Sequence, residues 1–128
     1  MTHQRLEVAR EVAQSDAHPD AETVFRGVRK RVPTISLDTV YRTLGEFERL
    51  GLVGRINATP GPTRYDANRA PHHHFVCKDC GLIRDLYSVC LDSLPAPEEA
   101  GLVGRIEGVE VRFRGVCREC MQEEEEHE

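Results

Sequence analysis

Apolar residues recur at helical spacing through the first fifty positions. Leu6, Ala9, Val12 and Ala13 predict a first helix with Thr2 as its N-cap. After a turn at His18 and Pro19, Asp20 is placed to cap a second helix whose apolar face is Ala21, Val24, Phe25 and Val28. Its first turn holds Glu22, its last holds Arg29, Lys30 and Arg31, and Pro33 stops it, an order that the helix dipole favours. Ser36 caps a third helix that turns Leu37, Val40, Leu44 and Phe47 inward and Thr39, Tyr41, Arg42 and Thr43 outward, with Gly51 at its C-terminal stop. LVGRIN and TRYD then predict two short strands around the turn A-T-P-G-P. Three helices and a hairpin describe a winged helix-turn-helix, with the Ser36 helix as recognition helix and the hairpin as wing.

From Ala67 to Pro71 the pattern becomes loop-like, and the hinge is placed there, between a domain at 1–66 and a second at 72–128. Beyond it HHHFVC and LIRDLY predict strands, and a short helix is expected between Leu91 and Val103, after Pro95 and Pro97. VEVRFR alternates Val109, Val111 and Phe113 with charged residues as a further strand. The fold class is therefore α+β: a winged helix followed by a small α/β unit. The hexapeptide GLVGRI occurs at Gly51–Ile56 and again at Gly101–Ile106, each time after a predicted helix and before a predicted strand. The flanks do not match, and two copies fall short of a repeat array.

Charge sharpens this division. The net charge of −5 is unevenly spread: residues 1–75 carry eleven Lys and Arg against nine Asp and Glu, whereas 76–128 carry six against thirteen, with five of those acids in the closing EEEEHE. The N-terminal half is the half suited to phosphate, and the acidic end reads as a solvated tail. No apolar run approaches membrane-spanning length and no signal-peptide pattern opens the chain, so a cytoplasmic protein without membrane partners is expected. Among the five cysteines, Cys90 stands outside the paired motifs and is expected to be a reduced core thiol.

The ligand-bearing residues concentrate in HHHFVCKDCGLIRD, His72 to Asp85. Cys77 and Cys80 form one C-x-x-C, and Cys117 and Cys120 form another 36 residues further on. Two such knuckles deliver four thiolates, the donor set of a tetrahedral structural zinc, and Gly81 eases the first turn. His72 and His74 project from one face of a strand and His73 from the other. Two imidazoles on one face can share a metal; without context they are as well read as surface or core histidines.

The residues T-x-Q-R at Thr2–Arg5, H-P at His18, S-L-D-T-V-Y-R-T-L at Ser36–Leu44, the H-H-H-F-V-C-x-x-C-G block and the terminal G-V-C-x-E-C together resemble the ferric uptake regulator family over nearly the whole chain. The resemblance implies a homodimeric winged-helix repressor of double-stranded operator DNA. It implies a structural zinc on Cys77, Cys80, Cys117 and Cys120 in the dimerisation domain, and a regulatory Fe(II) or Mn(II) on His18, Asp66, His72, His74 and Asp85. Three imidazoles and two carboxylates form a nitrogen and oxygen site suited to those ions, with one octahedral position open. Aspartates at positions 66 and 85 resemble the peroxide-sensing branch, in which His18 or His72 would be the oxidised ligand. A further metal site of some relatives needs a histidine where Val109 stands, so it is expected to be absent and His73 to be exposed. The family pattern usually has a stretch before T-x-Q-R with a basic residue that reaches the minor groove, and this sequence starts at Met1-Thr2 without it.

The resulting expectation is a metal-dependent repressor that senses hydrogen peroxide and contacts DNA through Ser36, Thr39, Tyr41 and Arg42. Iron- or zinc-responsive regulation with metal as corepressor is the alternative. No enzyme chemistry and no small organic substrate are expected. A dithiol oxidoreductase is the competing class, disfavoured because neither C-x-x-C is predicted at a helix start behind a strand.

Overall fold

The computed structural model describes residues 2–15, 18–57 and 61–126, so Ala58, Thr59 and Pro60 of the expected wing turn and the last two residues of the acidic tail lie outside the described residues. The chain divides into two compact units, Met1–Arg69 and Ala70–Glu128.

The first unit is a winged helix built from α1 (His3–Gln14), α2 (Ala21–Arg29), α3 (Leu37–Arg49), β1 (Gly54–Asn57) and β2 (Thr63–Asp66). All three predicted caps form: Thr2, Asp20 and Ser36 accept from the backbone N–H groups of Arg5, Thr23 and Thr39 at 3.2, 2.8 and 3.1 Å. Each satisfies a donor that a helix start leaves open. α3 ends on Gly51 at φ +77°, where Leu52 N–H reaches Phe47 O and Gly51 N–H reaches Glu48 O. This double bond pattern places the next chain segment to enter the antiparallel pair β1–β2, in which Arg55 faces Tyr65. The core is Val8, Val12, Val24, Val28, Val40, Leu44 and Phe47 from the helices, closed by Val53 and Tyr65 of the wing region.

Two expectations change here. In α1 the core residues are Val8 and Val12, while Leu6 is exposed and Glu7 is buried. Thr43, expected on the outer face of α3, is also buried.

Glu7 is tolerated inside because Arg31 Nε donates to its Oε2 at 2.5 Å and Arg10 Nη1 to its Oε1 at 3.1 Å. Arg31 also holds Glu11 Oε2 at 2.8 Å. Gly27 leaves the room for this arrangement, since an added Cβ would stand 1.9 Å from Glu11 Oε1. The Arg31 hydrogen bond, against the opposing effect of burial and with the charge of Arg10 assisting, holds the Glu7 carboxyl below its ordinary range. A depressed folded-state value means stability that is present above the unfolded value of about 4.3 and is lost as pH falls through the folded one. Arg31→Gln is therefore expected to flatten the fall in unfolding temperature between about pH 5 and pH 2, measured by circular dichroism; an unchanged acid limb would show the network to be idle.

The second unit carries β3 (His73–Cys77), β4 (Ile83–Leu86), α4 (Val89–Asp92), α5 (Glu98–Val103), β5 (Arg112–Gly115) and α6 (Arg118–Glu126). Its sheet has the order β4-β3-β5, with β4 antiparallel and β5 parallel to β3. Val76 and Ile83 are buried in the sheet, and at the sulfur end Cys77, Cys117 and Cys120 are buried together with Phe75, Leu82 and Val116 packed on them.

Several sequence expectations fail in this unit. The last strand is only four residues long, so that Val109 and Val111 lie before it, and Val109 and Phe113 are exposed. Neither α4 nor α5 buries a residue, and Cys90 on α4 is exposed, not a core thiol. The second GLVGRI does not lead into a strand: Gly101–Val103 belongs to α5 and the rest is irregular and exposed, whereas Val53 and Ile56 of the first copy are buried. No helix among the described residues is long and apolar enough to cross a membrane.

Candidate metal centres and nucleic-acid interface

The first C-x-x-C sits in the turn between β3 and β4. Cys77 N–H donates to Leu82 O and Gly81 N–H to Cys77 O, and Gly81 takes φ +78°. This tight turn brings Cys80 back beside Cys77, whose sulfur accepts from the N–H groups of Cys80 at 3.5 Å and Cys117 at 3.4 Å. The second pair opens α6 directly behind β5. The sequence-based case against a dithiol enzyme fails on that point, because Cys117 does stand at a helix start after a strand. The geometry supplies a better one.

All four sulfurs gather in one cluster, within 4.8 Å of one another. Cys77 Sγ is 3.8 Å from Cys120 Sγ and Cys80 Sγ is 3.7 Å from Cys117 Sγ. A zinc–sulfur distance of about 2.3 Å requires a tetrahedron with edges of about 3.8 Å, which these two edges match, so the four-sulfur cluster fits zinc. A disulfide needs about 2.05 Å, and all five cysteines are free. Burial alone would raise the Cys77 thiol, but the N–H groups of Cys80, Cys117 and Asp79 outweigh it and bring it down to about 6. Cys120 is pushed up, first by the neighbouring Cys117 sulfur and then by burial. Crowded thiols of this kind ionise together only when a cation offsets their repulsion.

The regulatory candidates fall into two groups, one in each unit. In the first, His18 takes the left-handed conformation at φ +52°, a strained position for a residue with a side chain. The loop is held there by β2: Arg64 Nε donates to His18 O, and Tyr65 N–H reaches Pro19 O at 2.9 Å. Asp66 closes β2, its Oδ1 accepts from Asn68 N–H at 2.8 Å, and its Oδ2 lies 3.5 Å from His18 Nε2. Both side chains are buried.

In the second unit, His72 and His74 flank His73 at the start of β3, with ring centroids 4.7 Å apart. Register places His74 opposite Asp85. One oxygen of Asp85 lies 3.7 Å from His72 Nε2 and 3.5 Å from His74 Nε2, and both imidazoles are nearly buried. The Nδ1 atoms face outward: His72 Nδ1 donates to Ala70 O at 2.6 Å, and His74 Nδ1 to Glu110 Oε1 at 3.1 Å. Each ring thus presents Nε2 to the same carboxylate, and this nitrogen and oxygen donor set fits a divalent cation of borderline hardness.

His73 corrects its expectation. It is fully buried on the opposite face of β3, where Nδ1 accepts from Val111 N–H at 3.0 Å and Nε2 donates to Asp92 at 2.7 Å. Strand parity foretold the face; nothing local foretold that α4 and residue 111 meet it there.

On α3, Tyr41 is half exposed and the Arg42 side chain is 74% exposed, paired with Asp38 at 3.1 Å. Ser36 and Thr39 share a hydroxyl contact of 2.9 Å, so both are engaged in the cap. The sequence reading missed Glu110, Asp92 and the Asp38 pairing. A four-residue spacing to Arg42 was the one available signal, for Asp38.

A winged helix in one chain with a sulfur cluster and a histidine–carboxylate cluster defines a class, the metal-dependent transcription regulators, which are not enzymes. The chain belongs to the ferric uptake regulator family, whose model matches residues 1–102. The peroxide-responsive repressor PerR of Staphylococcus epidermidis is 28% identical over 96% of this chain and 82% of its own. The ferric uptake regulation protein of Bacillus subtilis is 32% identical over 98% and 88%. The structure also resembles the Campylobacter jejuni peroxide stress regulator, with a TM-score of 0.78 and 31% identity over 91% of this chain and 88% of that one.

Proposed function

We propose that the protein is a homodimeric, metal-dependent repressor that binds operator DNA through α3 and releases it when hydrogen peroxide oxidises a ligand histidine. The observation that carries this reading is the shared aim of His72 and His74: two Nε2 atoms on one Asp85 oxygen, with both Nδ1 atoms tied back. His18 and Asp66 of the winged helix complete the proposed ligand set. One ion held by both groups would restrain the segment 67–71 as a hinge and select one separation of the two recognition helices in the dimer. Bound Fe(II) would catalyse the reduction of peroxide at the expense of a ligating ring, which gives up both electrons, chemistry that Mn(II) and Zn(II) do not provide.

The protein's own part is to hold His18 and His72 where an oxygen transferred to a ring carbon costs them their place as ligands. Each modified ring gains one oxygen from peroxide while the other leaves as water. Dimerisation is supported by the apolar side chains that one chain leaves uncovered in the second unit, including Val89, Leu102 and Val103, each more than 80% exposed. The similarity to a ferric uptake regulation protein supports a second reading, in which iron or zinc acts as corepressor without oxidation.

The test is footprinting on genomic DNA with Fe(II), Mn(II) or Zn(II), before and after peroxide. Protection that appears with Fe(II) and Mn(II) and is lost to peroxide only with Fe(II) is the expected result; protection indifferent to peroxide with every metal favours the corepressor reading. Within the DNA contact, Arg42 is assigned to guanine and Tyr41 to a thymine methyl. Arg42→Ala is expected to weaken operator binding by about 1–3 kcal/mol and to relax base preference at one position. An anisotropy titration with unchanged affinity and preference would remove Arg42 from the base-reading set.

A further inference from the structure

We infer that Glu110 is a positioning residue for the regulatory site: it accepts the Nδ1–H of His74 and thereby turns that ring's Nε2 towards Asp85. The inference rests on the site reading above and adds to it a residue outside the ligand set. A carboxylate in this setting only accepts, so at 3.1 Å from Glu110 Oε1 the ring proton of His74 belongs on Nδ1. The Nε2 lone pair then faces Asp85 Oδ1 at 3.5 Å. Two lone pairs at that distance repel unless a cation lies between them. His72 shows the same construction with a backbone oxygen in the outer position, Nδ1 on Ala70 O and Nε2 towards the same Asp85 oxygen.

The backbone delivers Glu110 to this place. The residue after it is fastened to β3 on both sides, since His74 N–H donates to Val111 O at 3.1 Å and Val111 N–H donates to His73 Nδ1 at 3.0 Å. The His74 side chain is 4% exposed, so water is a poor substitute for the carboxylate, whereas Glu110 at 59% stays in contact with solvent. An outer carboxylate fixes the tautomer of a ligating imidazole and raises its basicity, and its loss weakens metal binding by about 10–100-fold.

The experiment uses the full-length, zinc-loaded protein with nitrogen-15 in its histidines and no regulatory metal. Long-range proton–nitrogen spectra are expected to show His74 protonated at Nδ1 in the wild type and in Glu110→Gln, which keeps an oxygen acceptor. In Glu110→Ala the ring is expected to shift towards the Nε2–H form. Mn(II) titration followed by electron paramagnetic resonance should then give an affinity about 10–100-fold weaker for Glu110→Ala, largely recovered in Glu110→Gln, at unchanged zinc content. A Glu110→Ala protein that kept the Nδ1–H form, or that shifted tautomer yet bound Mn(II) within about twofold of wild type, would overturn the inference. A His74→Ala protein that bound Mn(II) as well as wild type would instead bring down the site reading. The two failures are separable because the tautomer is measured without regulatory metal.

Discussion

Cys117→Ser is expected to lose its zinc and, with it, the folded second unit. Cys117 is the hinge of the cluster: its sulfur closes on Cys80 and its N–H donates to Cys77 Sγ, so it ties α6 to the turn between β3 and β4. Apolar burial adds to this through Val76 and Ile83, but three of the six residues gathered around the sulfurs are themselves cysteines. Structural zinc contributes about 10–16 kcal/mol in small zinc-dependent folds, as much as the whole stability of an ordinary domain of about 5–15 kcal/mol. Serine retains the size but not the thiolate, and three sulfurs cannot complete the tetrahedron. The expected result is a zinc-free monomer by metal analysis and sedimentation, with the helical signal of the winged helix retained. Cys90→Ser, on an exposed residue outside the cluster, should keep both zinc and dimer. A Cys117→Ser protein that remains a zinc-loaded dimer, or a Cys90→Ser protein that loses its zinc, would show that the cluster is not what holds this unit together.

Iron-loaded protein exposed to low peroxide is expected to leave its operator and to carry one added oxygen on His18 or His72. Manganese-loaded protein should stay bound and unmodified. Both ions suit the same nitrogen and oxygen donors, so the comparison isolates redox chemistry from ligand geometry. Nearly complete burial of the imidazoles favours local attack, because an oxidant generated beside the rings meets them before it meets solvent. Peptide mass spectrometry identifies the modified residue, and anisotropy on the same sample gives the loss of DNA. Release accompanied by cysteine oxidation, with His18 and His72 intact, would rule out the histidine mechanism. Iron-loaded protein that never responds would favour the corepressor reading.

The features legible in the sequence are those whose physics is local. A cap and the N–H it satisfies lie three residues apart, so Thr2, Asp20 and Ser36 could be found by spacing. The two C-x-x-C knuckles carry their own turn chemistry, and alternation along a strand was enough to put His72 and His74 on one side and His73 on the other.

The tertiary structure decided what each buried polar group meets and which apolar residues find cover. Glu7 is inside because Arg31 arrives from 24 residues away, and Val8 rather than Leu6 is core because α2 and α3 cover that side of α1. Identical GLVGRI segments diverge for the same reason: the first follows α3 onto a covered face, while the second ends α5, which buries nothing. His73 depends on Asp92 and Val111, and His74 on Glu110, 36 residues downstream. Desolvation makes such partners obligatory, but their identity is set by how the chain folds back on itself, which no spacing within a few residues encodes.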